Sequence, residues 1–194
     1  MELYLVRHGE TIWNKEGRYY GHSDIGLSEN GLLQAKKLGT WFKQIHFDKV
    51  FVSPLVRAID TAKELTDHPL TKDTRLMEQN FGLFEGKTYE ELNQSYPSEL
   101  HEWNQSYQAY KLPEGESVSM VRQRVDAFVK DLWKEEGTIL IVAHKGTFGH
   151  MLASFLHMPL DGYWNFVFEQ GTYSKIDLED GFAILRAINK LPPS

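Results

Sequence analysis

The chain has 194 residues, 25% of them charged and 41% hydrophobic, the balance of a folded chain rather than a disordered one. Its 21 Lys and Arg against 27 Asp and Glu leave a formal charge of −6, which argues against a nucleic-acid-binding face and a polybasic membrane patch. Cysteine is absent, so disulfides, thiolate metal sites and a cysteine nucleophile are excluded together.

The length predicts one domain, residues 1–194, with room for a cap segment. No period of 20–50 residues marks a repeat architecture, and no apolar run approaches membrane-spanning length. The start, Met1-Glu2-Leu3-Tyr4-Leu5-Val6, reaches Arg7 and His8 too soon for a secretory signal, so a cytoplasmic protein is expected.

Taken in chain order, Leu3 to Val6 reads as a first strand, followed by a loop through Gly17, Gly21 and Gly26. Ser28 reads as an N-cap, and Leu32, Ala35, Leu38 and Phe42 as the apolar stripe of a helix. Lys49 to Val52 is a second strand. Ser53-Pro54 then reads as a cap and a first helical position, before a helix carrying Ala58, Thr61, Ala62 and Leu65. The polar and aromatic stretch at about 79–116 reads either as a cap inserted over a site or as an irregular connection. Thr88-Tyr89-Glu90-Glu91 inside it fits a capping box.

Val118, Val121, Val125, Phe128, Val129 and Leu132 form the clearest amphipathic helix, with Gly137 at its end. Thr138 to Ala143 is a continuous run for a strand buried on both faces. A helix from about Thr147 to Leu156 follows, then strands near Tyr173–Leu178 and Ala183–Ile188 joined at Glu179-Asp180-Gly181. The alternation predicts an α/β class: a three-layer αβα fold with a mostly parallel central sheet and an inserted helical cap.

Three polar clusters follow three of these strands: Arg7-His8-Gly9-Glu10, Ser53 to Arg57, and His144-Lys145-Gly146. Ligands of an open parallel sheet bind at the carboxyl ends of its strands, so residues over a hundred positions apart can converge there. Two arginines, two histidines and helix N-termini at one edge suit a phosphoryl group. His22, His46, His68, His101 and His157 are scattered and read as surface residues. His144 and His150 miss the i, i+4 spacing of a helical zinc pair. No Walker A motif, dinucleotide glycine fingerprint or Gly-x-Ser-x-Gly elbow is present.

The block Leu5-Val6-Arg7-His8-Gly9-Glu10-Thr11 with Trp13-Asn14 resembles the signature of the histidine phosphatase superfamily, the phosphoglycerate mutase-like family. The resemblance continues in order through Asp24, Leu27-Ser28, Gly31, Gln34-Ala35, Ser53-Pro54-Leu55, Arg57-Ala58, Thr61-Ala62, Leu76-Met77-Glu78, Phe81-Gly82, Glu85-Gly86, Pro113 to Ser117, and Val142-Ala143-His144. It implies a catalytic set of His8, Glu78, Arg7, Arg57 and His144. His8 is the nucleophile that becomes phosphohistidine, Glu78 the proton donor, and Arg7, Arg57 and His144 the phosphoryl clamp. Asn14 is a secondary phosphate contact. Lys145, where the family often has Gly, either adds charge at the rim of that phosphate site or points into solvent. Gly26 stands where the family often has Pro, which bears on the rigidity of the loop after His8.

The chemistry expected is metal-independent, because the cations are side chains, and needs no cofactor. Imidazole attacks phosphorus when neutral, and neighbouring arginines favour that form. An alkoxide leaving group needs a proton, so Glu78 must be protonated when substrate binds. The expected partner is a small-molecule phosphate ester; oligomeric state is unreadable. Three readings compete: a phosphomonoester hydrolase, a cofactor-dependent phosphoglycerate mutase, and a non-catalytic binding module of the same fold. Mutases of the family usually carry a longer insert before the second histidine and a closing tail. The compact span from Glu78 to His144 and the short Leu191-Pro192-Pro193-Ser194 end favour the hydrolase, and the intact residue set disfavours the module.

Overall fold

The strand at Thr138–Ala143 shows how three layers arise from a period of two. Ile139, Ile141 and Ala143 face one apolar cluster, while Leu140 and Val142 face another. The first strand splits the same way, Leu3 and Leu5 against Tyr4 and Val6. Successive side chains of a strand point to opposite faces, so a run that is apolar throughout demands a helical layer on each side.

The computed structural model describes residues 1–192; Pro193 and Ser194 of the proposed tail lie outside them. The elements are β1 (Glu2–Arg7), α1 (Ile12–Lys15), α2 (Glu29–Phe42), β2 (Lys49–Val52), α3 (Val56–Leu65), β3 (Leu70–Lys72), α4 (Tyr89–Ser95), α5 (Pro97–Ser106), α6 (Val118–Leu132), β4 (Thr138–Ala143), α7 (Lys145–Phe155), β5 (Tyr173–Glu179) and β6 (Phe182–Lys190). Short 3₁₀ turns occupy Thr74–Leu76, Gly82–Phe84 and Leu160–Asn165. The six strands run in the order β3-β2-β4-β1-β5-β6. β1 to β4 are mutually parallel, and β5 and β6 append an antiparallel hairpin. Asp180 and Gly181 at its tip have φ of 48° and 82°, the pair of positive values that a two-residue hairpin turn requires.

One helical layer is α2 and α3, which bury Leu38, Phe42, Ala58, Ala62 and Leu65. The other is α6 and α7, which bury Val121, Val125, Phe128, Leu132, Met151, Leu152 and Phe155. Residues 79–116 supply α4, α5 and a third apolar cluster of Phe84, Leu92, Leu100 and Leu112, apart from the sheet. The capping box at Thr88 forms, with Thr88 and Glu91 exchanging hydrogen bonds.

Several local expectations change. Ser53 does not cap α3; the cap is Leu55, and the helix starts at Val56, because the Ser53 hydroxyl is engaged by His144. Gly31, not Leu32, joins Ala35, Leu38 and Phe42 on the buried side of α2. α6 ends at Leu132 rather than near Gly137, which instead turns the chain into β4 with φ 81°. α7 begins at Lys145, with His144 at the N-cap position but making no side-chain capping bond. His22 and His68 are partly buried rather than on the surface.

Candidate active site

Register brings the pieces together. Arg7 pairs with Ala143 and Val52 with Val142, so the carboxyl ends of β1, β4 and β2 share one edge. The first residue beyond each strand stays on the ladder: His8 N–H donates to the Ala143 carbonyl and Ser53 N–H to that of Val142, both at 3.0 Å. β3 ends at the same edge, and Glu78 follows it after one 3₁₀ turn. Four strand ends therefore deliver the candidate groups. β3 escapes sequence reading because it is a three-residue edge strand without an apolar run.

Arg7, His8, Asn14, Arg57, Glu78 and Lys145 line one cavity of about 350 Å³. His144 does not line it; its ring is fully buried, 5.1 Å from that of His8 between centroids. Lys145 is exposed and also lines the cavity.

The His8 tautomer follows from a single contact. Nδ1 lies 2.7 Å from the Gly9 carbonyl, which can only accept, so Nδ1 carries the proton and Nε2 the lone pair. Burial, then the charges of Arg57 and Arg7, push the imidazole pKa well below 6.5, so the ring is neutral at neutral pH. Burial followed by Arg57 does the same to His144. The Ser53 hydroxyl and His144 Nε2 lie 2.8 Å apart, while His144 Nδ1 is buried without a partner among the described residues.

Both arginines are held by backbone. Arg7 Nη1 donates to the Phe168 carbonyl at 2.9 Å. Arg57 donates to Ser23 at 3.0 Å and Gly21 at 2.7 Å, and its guanidinium lies 4.7 Å from the centre of the Tyr20 ring. The Nε atoms of both are buried with no partner among the described residues. The loop at 21–23 is gripped from its amide side too: N–H groups of Gly21, His22 and Ser23 donate to the Glu85 carboxylate, as does that of Phe81. Burial opposes ionisation of Glu85, but these hydrogen bonds outweigh it and hold its pKa below the ordinary carboxylate value. Glu85 is thus an anchor for the Arg57 loop. Asn14 Oδ1 accepts from Thr11 N–H and from Gln170, which fixes it at the mouth of the cavity.

Glu78 docks on the first turn of α7: Gly146 N–H donates to Oε2 at 3.0 Å and Gln79 N–H to Oε1 at 3.1 Å. This approach requires glycine, since a Cβ at position 146 would lie 2.5 Å from Oε1. Arg124 steadies the segment from below, donating to the carbonyls of Arg75, Met77 and Glu78 while paired with Glu116. Ser53 and Glu116 fall within motif blocks whose supporting roles only the contacts reveal. Arg124 lies on the polar side of an amphipathic helix and carries no local signal.

The cavity lining also carries an aromatic set. Tyr19, Phe81 and Trp103 form one wall, and Tyr163, Trp164 and Phe166 another. The polar lining can hold a doubly charged phosphoryl group beside a neutral imidazole and a carboxyl group, and the aromatic lining an apolar or aromatic substituent.

The sequence matches a model of the histidine phosphatase superfamily (branch 1) over residues 3–191. It is 36% identical to an adenosylcobalamin/alpha-ribazole phosphatase of Salmonella typhimurium, across 97% of this chain and 96% of that protein. It is 31% identical to phosphoserine phosphatase 1 of Hydrogenobacter thermophilus, across 97% and 92%. The crystal structure of the alpha-ribazole phosphatase from Shigella flexneri superposes with a TM-score of 0.93 at 35% identity, covering 98% of this chain and 96% of that one. Ordered motifs, fold and full-length similarity agree: the chain belongs to the histidine phosphatase superfamily.

Proposed function

We propose that the protein hydrolyses small phosphomonoesters through a phosphohistidine formed on His8, in a single domain whose segment 79–116 caps the site. The observation that carries this reading is the His8 ring itself. It is neutral, its Nδ1 proton is spent on the Gly9 carbonyl, and it shares a cavity with Arg7, Arg57 and Glu78.

In the first step His8 Nε2 attacks phosphorus as the ester oxygen departs. Arg7 and Arg57 neutralise the phosphoryl oxygens with guanidinium groups already fixed by backbone, so little reorganisation accompanies the charge shift. Ser53 fixes the His144 ring, which lies beside that of His8 behind the cavity wall and backs the clamp on this reading. Asn14 and Lys145 contribute at the mouth and the rim. Glu78, held on the α7 N-terminus, gives a proton to the leaving alkoxide. Water then attacks phosphohistidine with Glu78 as base, and phosphate leaves. Charge neutralisation comes from side chains at every step, so activity is expected to persist after exhaustive chelation.

The relatives described above are phosphatases, which favours hydrolysis over the mutase reading. The aromatic walls favour esters with an apolar or flat leaving group. The test is a phosphate-release screen ranked by kcat/KM. It includes esters of alpha-ribazole and serine, after which relatives are named, and 3-phosphoglycerate with catalytic 2,3-bisphosphoglycerate. Efficient isomerisation with little phosphate release would reverse the ranking, and preference for small polar esters would overturn the apolar-leaving-group reading.

A further inference from the structure

α7 carries a second buried histidine that phosphoryl transfer does not use. His150 is 2% exposed and lines the cavity among its aromatic side chains. Its ring stacks on Tyr163, with centroids 4.1 Å apart and planes 22° apart, and Tyr163 lies 4.6 Å from Trp164. The preceding residue makes the stack possible: a Cβ on Gly149 would lie 2.8 Å from the Tyr163 carbonyl oxygen. The 3₁₀ turn that carries Tyr163 can therefore close on α7 only over a glycine.

The His150 ring lacks a protein partner among the described residues. Nδ1 is buried without one, which leaves Nε2 as the nitrogen that a molecule in the cavity meets. Leucine or phenylalanine would fill the same space against Tyr163 without burying an unpaired polar atom. The buried Nδ1 stays unpaired whatever the cavity holds, but Nε2, also without a partner among the described residues, keeps its hydrogen-bonding capacity open to a molecule in the cavity.

On the phosphatase reading above, we propose that His150 is a specificity-determining residue. Its imidazole forms a hydrogen bond with a polar atom, a hydroxyl or ring nitrogen, on the ester's leaving group, while Tyr163 and Trp164 bound that group's apolar surface. Burial, then the charges of Arg122 and Arg124, push the His150 pKa down to about 3. The ring is thus neutral and distinguishes leaving groups by hydrogen bonding rather than by charge. A site that hydrogen-bonds a substrate atom discriminates strongly against the analogue lacking it, because the protein group is then left unpaired.

The experiment compares naphthyl phosphates with hydroxynaphthyl and quinolinyl phosphates, which match them in size but carry a polar edge atom. Wild type is expected to favour at least one polar isomer over its naphthyl parent by roughly 10-fold or more in kcat/KM. His150→Leu is expected to bring that ratio close to one, chiefly through KM, and His150→Gln to restore part of it. If His150→Leu fails to fold in a thermal melt, His150→Phe, which keeps a stackable ring, is read in the same way. A wild-type ratio near one for every isomer, or a ratio unchanged by the apolar variants, overturns the role of His150. No phosphate release from any ester, p-nitrophenyl phosphate included, overturns the phosphatase reading with it.

Discussion

Gly146→Ala probes the proposed proton donor, Glu78, without replacing it. The new Cβ would lie 2.5 Å from Glu78 Oε1, 3.2 Å from Cδ and 3.4 Å from Oε2. Ordinary contact begins at 3.4 Å, so the carboxylate must retreat by about 0.9 Å (3.4 − 2.5) and loosen its bond to Gly146 N–H. Gly146 lies in α7 without a positive φ, so alanine fits the backbone and favours the helix by up to about 1 kcal/mol. Displacement near 1 Å can cost about 10²-fold in rate, and general acid catalysis is worth about 10²- to 10⁴-fold. The expected result is a fall of about 10²-fold in kcat/KM for an alkyl phosphate, equivalent to about 2.7 kcal/mol of barrier, with the melting temperature held. p-Nitrophenolate leaves without a proton, so the p-nitrophenol burst from p-nitrophenyl phosphate should be largely spared. Undiminished alkyl turnover would refute the docking of Glu78 on α7 as a catalytic arrangement. Equal loss for alkyl and aryl phosphorylation would refute the acid role and leave Glu78 as a positioning group.

His8→Ala should abolish an acid-labile, base-stable phosphoenzyme formed from ³²P-labelled substrate; label that persists on the variant would show another acceptor. Ser53→Ala leaves His144 Nε2 unpaired and should cost about 1–3 kcal/mol in urea unfolding while slowing phosphoenzyme formation; unchanged stability and rate would show the contact to be idle. His8, His144 and His150 are all depressed below 6.5, chiefly by burial, so the unfolded chain binds protons that the folded one does not. Stability should therefore fall as pH drops below about 6.5, by up to about 1.4 kcal/mol per unit for each histidine, ending for His150 near pH 3. Melts from pH 7.5 to 4 test the sign, and His150→Leu should flatten part of the slope.

Much was legible in the chain because its physics is local. The β-branched run Thr138–Ala143, the stripe of α6, the caps at Ser28 and Thr88 and the Asp180-Gly181 turn each depend on neighbours a few residues away. The polar clusters at three strand ends could be read as one site because a parallel sheet gathers its carboxyl ends at one edge. Residue roles came from ordered motifs rather than from spacing.

Tertiary structure decided what depends on contacts between distant segments. Ser53 reads locally as a helix cap, yet its hydroxyl is drawn to a histidine 91 residues away, because β2 and β4 pair in register. Glu78 reaches the site through β3, an edge strand too short to leave a pattern. Gly146 and Gly149 look alike in sequence, but one admits a carboxylate and the other a backbone carbonyl. Periodicity records which face of an element is buried. What that face meets is fixed only when the layers close, so the tautomer of His8, the Arg124 clamp and the empty hydrogen-bonding capacity of His150 belong to the packed fold alone.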